Sequence, residues 1–144
     1  MKTLTQHITE RLILNKDRVS KYEYFPKTKE DLGGAIDKII RNHRNDEIIN
    51  LNMIDTSKIT SMSCLFYKSR YNYDISEWNV SQVKDMGYMF YGSSFNNDIS
   101  QWNISNVENM DNMFENSDFN QDLTAWKDKI KNKDLLKYIQ DYIK

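Results

Sequence analysis

Two histidines, His7 and His43, and one cysteine, Cys64, are all the chain offers as imidazole base or thiol nucleophile. Nucleophilic catalysis needs a base held against the attacking group, and neither histidine stands in a motif with a nucleophile. No P-loop, G-x-S-x-G, H-E-x-x-H or dinucleotide fingerprint occurs. His43 lies in IIRNHRND, a helix-end setting where a polar or positive residue complements the dipole. A single cysteine excludes an intramolecular disulfide and a CxxC metal site. Cys64 sits between Ser63 and Leu65 in an apolar-periodic stretch and reads as a buried, inert thiol.

Three columns of like residues carry the remaining chemical options. Asp74, Asp98 and Asp122 could hold calcium, but Gly-rich, Asp-dense calcium loops are absent, so they read as turn or cap residues. Met62, Met86, Met89, Met110 and Met113 could bind a soft metal, but at helical spacing beside Phe90 and Phe114 they read as core. Trp78, Trp102 and Trp126 could stack on sugars or bases, yet in a repeating core indoles pack on each other. The expectation is therefore no enzyme, no cofactor and no metal.

The columns exist because the chain repeats itself. Residues 74–90, DISEWNVSQVKDMGYMF, return 24 positions later as DISQWNISNVENMDNMF. Going backwards, Ile59, Met62, Leu65-Phe66 and Tyr71-Asn72 mark a degenerate earlier copy. The unit occupies 50–73, 74–97 and 98–121, with a truncated copy at 122–126. Repeats of this length signal units that bury their apolar faces on their neighbours. Within a unit, DISEW alternates as a short extended segment does. Val83, Met86, Met89 and Phe90 then fall on one face of an expected helix, with Ser81, Ser105 and Ser57 as its N-caps. Asn72, Asn96 and Asn120 are placed to stack at the turns and satisfy backbone groups of the adjacent unit.

Elements at both ends should close the stack. KYEYFP reads as a short strand, and TKEDLGGAIDKIIRNH as a helix capped by Thr28 with Asp31 three residues on. Leu32, Ile36, Ile39 and Ile40 form its apolar face, with Gly33-Gly34 a weak point inside it. EIINLN leads as a strand into the first unit. Leu135, Leu136, Ile139, Tyr142 and Ile143 line a terminal amphipathic helix. The organisation is an arm at 1–20, a strand-helix cap at 21–49, the repeats at 50–126 and a capping helix at 127–144. Within the arm, Ile8 and Leu12 could begin a small helix, RLILN could be a strand, or the arm orders on a partner.

Charge is uneven. Residues 50–126 carry 4 basic and 10 acidic side chains, so −6; residues 1–49 are 10 against 8, +2; residues 127–144 are 6 against 3, +3. Phosphates need clustered Lys and Arg, so nucleic acid is not expected on the repeats. No apolar run approaches the roughly 18 residues of a membrane helix. Gln6, His7, Glu10 and Arg11 interrupt any signal-peptide core. The expected location is the cytoplasm.

The two units DISEWNVSQVKDMGYMFYGSSFNN and DISQWNISNVENMDNMFENSDFNQ resemble the BspA-like leucine-rich-repeat family, also called the DUF285 or Mycoplasma-lipoprotein-repeat family. LNMIDTSKITSMSCLF resembles its degenerate first repeat, and YEYFPKTKEDL the segment before it. The resemblance implies an α/β, leucine-rich-repeat-like solenoid of short strand plus helix per unit. Many members are surface adhesins with export signals and many repeats; this chain has few repeats, and no such signal is expected of it. Short members of this kind occur in bacterial genomes and phages.

Fixed cores with changing exteriors make extended recognition faces. The expected function is thus a non-catalytic protein-interaction module, including a phage- or mobile-element-borne binder of a host protein. Glu77, Lys84, Asp85, Glu108, Asp111 and Asn112 are the candidate contact residues, with Tyr88 and Tyr91 as anchors. A self-assembling particle component and a surface adhesin or glycan binder are the alternatives. The partner's identity and the oligomeric state are not written in the sequence.

Overall fold

The computed structural model describes residues 1, 3, 5–6 and 21–144. The helix, strand and arm alternatives for 1–20 concern segments outside those residues. The described chain is mixed α/β. Helix α1 (Lys29–Asn42) begins as the sequence requires: Thr28 Oγ1 accepts from the Asp31 N–H at 3.1 Å, and Asp31 Oδ2 accepts from the Thr28 N–H at 3.3 Å. Glu30 and Asp31 face the positive end of the dipole, and Arg41 the negative end. Leu32, Ile36 and Ile39 are buried. Gly33 and Gly34 do not break the helix, and a Cβ at either meets nothing within 4 Å. Gly34→Ala is therefore expected to stabilise the protein by about 0.5–1 kcal/mol, read as a raised urea midpoint at constant slope. A lowered midpoint would contradict the open space at that position.

The KYEYFP strand shrinks to one parallel bridge, Tyr24 with Ile54. Strands β1 (Ile48–Asn50) and β2 (Asn72–Asp74) pair in parallel, Ile48 with Asn72 and Asn50 with Asp74. The offset is 24 residues, and it recurs in the bridges Ser61–Asp85 and Asp85–Asn109. The extended piece of a unit thus lies upstream of its expected place. Residues 76–77 are already a turn, because Asp74 Oδ1 accepts both the N–H (3.1 Å) and the hydroxyl (2.7 Å) of Ser76.

The helix expected in each unit is absent. From residue 43 to residue 144, all described, no α-helix occurs. The N–H groups of Met62, Cys64, Phe66 and Lys68 donate to the carbonyls of Asp85, Gly87, Met89 and Tyr91 at 2.7–3.0 Å. Those of Met86, Tyr88, Phe90 and Gly92 donate likewise to Asn109, Asp111, Met113 and Glu115. The N–H groups between them close tight turns, such as Met89 to Met86 and Tyr91 to Tyr88. With every second donor committed to the next segment, the i→i−4 ladder of a helix cannot form. Left-handed backbone at Cys64, Lys68, Tyr88, Gly92, Asn112 and Asn116 bends each segment instead. Ser81 is not a helix cap: Asn79 Oδ1 accepts its N–H at 3.0 Å, and Asn103 does the same for Ser105 at 3.2 Å. Ser57 donates its N–H to Asp55 Oδ1 at 3.0 Å.

The core runs through the paired segments. Phe66, Phe90 and Phe114 stack at 5.6 and 5.7 Å, and Phe95 stacks on Phe119 at 5.9 Å. Trp78, Trp102 and Trp126 are buried, and their indole N–H groups donate to Leu51, Ile75 and Ile99 carbonyls. The five column methionines are buried as well. Asn72 Oδ1 accepts the Asn96 N–H, and Asn96 Oδ1 the Asn120 N–H, both at 3.0 Å. The terminal amphipathic α-helix is replaced by 3-10 turns at Lys133–Tyr138 and Gln140–Tyr142. The Leu123 N–H takes the Tyr142 carbonyl, and the Lys144 N–H donates to Thr124 Oγ1, so the chain must extend at Ile143 (ψ 121°) rather than coil. Tyr142 still covers Phe114 and Phe119 at 5.1 and 5.3 Å.

Candidate partner-binding surface

Side-by-side pairing puts equivalent side chains in columns on the exterior. Cys64, Tyr88 and Asn112 form one column at the first left-handed position of each segment. Tyr67, Tyr91 and Glu115 form the next. The Tyr67 and Tyr91 rings stack at 5.2 Å, and Tyr88 leans on Tyr91 at 5.8 Å. Asn112 Nδ2 donates to the Tyr88 hydroxyl at 2.7 Å, and Asn116 Nδ2 to the Tyr91 hydroxyl at 3.1 Å. Both phenols are thereby held in place without being hidden. Tyr67 keeps 44% and Tyr88 39% of its surface in water. The Lys68 ammonium lies 5.3 Å from the Tyr67 ring centroid.

The structure gathers some of the expected contact residues and disperses others. Tyr88, Tyr91 and Asn112 converge on the aromatic cluster. Asp111 is exposed one position before Asn112. Lys84 and Glu108 are exposed and form an ion pair at 3.6 Å on adjacent segments. Asp85 is engaged in holding the segments together, since its Oδ1 accepts the Gly87 N–H and Asn109 Nδ2, each at 2.9 Å. Glu77 stands apart, its carboxylate paired with Lys21 and its N–H donating to Asn52 Oδ1 at 3.0 Å.

Tyr67, Lys68 and Asn116 belong to the surface and are missing from the expected set. Tyr67 had a signal, since it precedes Tyr91 by one repeat length. Cys64 is exposed, against expectation: its left-handed backbone (φ 57°) turns the side chain outward while its N–H donates to Gly87. The apolar periodicity around Cys64 gave no sign of that turn.

The aspartate column is occupied with turns. Asp122 Oδ1 accepts the Thr124 hydroxyl (2.7 Å) and N–H (2.8 Å), which hold its carboxyl below the usual carboxylate range. At Asp74, partial burial raises the pKa, but hydrogen bonds from Ser76 and Asn52 together outweigh it and the net direction is down. Among the described residues no three His, Cys, Asp or Glu side chains cluster as a metal site. His43 ends α1 with Nδ1 2.8 Å from Asp46 Oδ2. No helix of the described residues is long and apolar enough to cross a membrane.

A family model described as Mycoplasma protein of unknown function, DUF285, matches residues 35–141. No curated protein and no solved structure matches the chain.

Proposed function

The chain belongs to the DUF285 family, and on that premise we propose that it is a non-catalytic protein-interaction module. In this reading the paired segments are the units of a short leucine-rich-repeat-like solenoid, and the columned exterior is its contact face. One observation carries it: exposed Tyr67 and Tyr88 cluster on half-buried Tyr91, with Tyr88 orientated by Asn112 and Tyr91 by Asn116. Tyrosines offer large contact area at low entropic cost and dominate interface hot spots. Here Asn112 and Asn116 already hold two of the rings, so binding loses little further freedom. Lys84, Glu108 and Asp111 supply a charged rim that sets orientation more than affinity.

The test is capture of partners from the native cell by immobilised protein, with quantitative mass spectrometry. Tyr67→Ala combined with Tyr88→Ala is expected to weaken recovery of the principal partner at least about tenfold, a loss of roughly 1.4 kcal/mol. Both rings are exposed, so folding should survive. Unchanged recovery by the double variant would remove the aromatic face as the contact surface.

A further inference from the structure

Equivalent stretches of the three paired segments differ in charge. Residues 62–70 hold two basic side chains, Lys68 and Arg70, and no acidic one. Residues 86–94 hold no charge, and residues 110–118 hold Asp111, Glu115 and Asp118 with no basic side chain. Parallel pairing at an offset of 24 lays these stretches side by side. The columns across the tyrosine face are therefore polarised: Tyr67, Tyr91, Glu115 in one and Arg70, Ser94, Asp118 in another. A further cation joins the first segment. The Lys29 ammonium takes the Ser63 carbonyl at 3.2 Å, in the column that ends at Asp111. Lys68, Arg70, Asp111, Glu115 and Asp118 are exposed and form no ion pair among the described residues.

The surroundings preserve this polarity. Lys84 and Glu108 pair with each other at 3.6 Å. Beyond the first segment, Lys27 and Glu30 share one groove and offset each other. Beyond the third, Asp141 adds a carboxylate beside Asn112 and Glu115, while Lys137 lies on the Tyr138 ring at 4.8 Å.

Charge selects the occupant. A face that is positive at one end, negative at the other and aromatic between is complementary to itself turned end for end. A two-fold axis in the contact plane, crossing the columns at the middle segment, lays each column antiparallel on its own copy. Lys29 then faces Asp111 of the second copy, Lys68 faces Glu115, and Arg70 faces Asp118, and symmetry repeats each pair. Tyr88 and Tyr91 meet their counterparts at the axis, already held by Asn112 and Asn116. A foreign partner would need the same polarity in reverse, which a second copy has by construction.

We propose that the tyrosine face binds a second copy of this chain, as a two-fold antiparallel dimer with charge pairs at both ends. This deepens the interaction reading above by naming its partner, and rests on it.

Sedimentation equilibrium of the full chain between about 1 and 500 µM should show a monomer–dimer equilibrium that stops at two copies. Raising salt from about 0.05 to 0.5 M should weaken the dimer at least about fivefold. Lys68→Glu with Arg70→Glu should weaken it at least about tenfold, because like charges then face each other at both ends. Glu115→Lys with Asp118→Lys should do the same. Mixed in equal amounts, the two charge variants should pair within about threefold of the native affinity, since each supplies the sign the other lost. All four side chains are exposed, and unchanged urea midpoints verify folding. A monomer throughout that range, charge variants that dimerise like the native chain, a mixture that stays monomeric, or assembly that grows past two would each overturn the proposal. Tyr67→Ala with Tyr88→Ala should also weaken the dimer at least about tenfold. A monomeric chain that still captures a different protein through those two rings would end the dimer and leave the interaction face standing.

Discussion

Phe90→Ala is expected to destabilise the protein by about 3–5 kcal/mol, measured as the fall in unfolding free energy from urea denaturation. Phe90 is fully buried, and its ring touches three others: Phe66 at 5.6 Å, Phe114 at 5.7 Å and Phe95 at 4.1 Å. Removing it loses the transfer free energy of the ring and leaves a cavity in the middle of a stack. Phe95 lies beside the stack but is itself stacked on Phe119 at 5.9 Å, so it cannot fill the gap without leaving that partner. A domain of this size has only about 5–15 kcal/mol in hand, so the variant sits near the edge of folding. Phe114→Ala should cost less, because Tyr142 already lies against that ring at 5.1 Å and can lean inward. Phe90→Leu should recover more than half of the loss. A cost below about 1.5 kcal/mol for Phe90→Ala would mean that the segments do not depend on one another through this column.

That dependence was legible in the sequence, and the backbone that delivers it was not. Phe90 and Phe114, Trp102 and Trp126, and Met86 and Met110 announce their stacking by spacing alone. Thr28 and Asp31 likewise announced the start of α1, because a capping box is a local device. The missing helices show the limit. Val83, Met86 and Met89 recur every third residue, a pattern that tight turns share with a helix over so short a span. What decides between them is the destination of the N–H groups, and that lies in the neighbouring segment. Left-handed backbone at Tyr88 and Asn112 has no signature in residue type beyond a preference for Asn and Gly. The misplaced Cys64 side chain follows from the same blind spot. Surface residues fared in proportion to their ties. Tyr88 and Tyr91 lie together, with ring centroids 5.8 Å apart. Glu77 is drawn off by Lys21, a residue outside the repeats that no periodicity could link to it.

Gly87→Ala is expected to cost about 2–3 kcal/mol, although a single methyl is added at a residue whose φ is not left-handed. The new Cβ would stand 2.7 Å from Asn109 Nδ2 and 3.3 Å from Asp85 Oδ1. Those two atoms are partners at 2.9 Å, and Asp85 Oδ1 also accepts the Gly87 N–H at 2.9 Å. The methyl cannot be seated until the Asn109 amide swings away. The swing leaves a half-buried carboxylate short of a donor and frees the side chain whose backbone bridges Asp85. Asn109→Ala supplies the control, since it removes the obstructing amide. If the clash is the cause, adding Gly87→Ala to Asn109→Ala should cost under about 1 kcal/mol, so the double-mutant cycle is strongly non-additive. Additive losses would show that Gly87 is needed for some other reason. The contrast with Gly34 makes the point general: the same substitution should stabilise where a Cβ meets open space and destabilise where a neighbouring segment leans in.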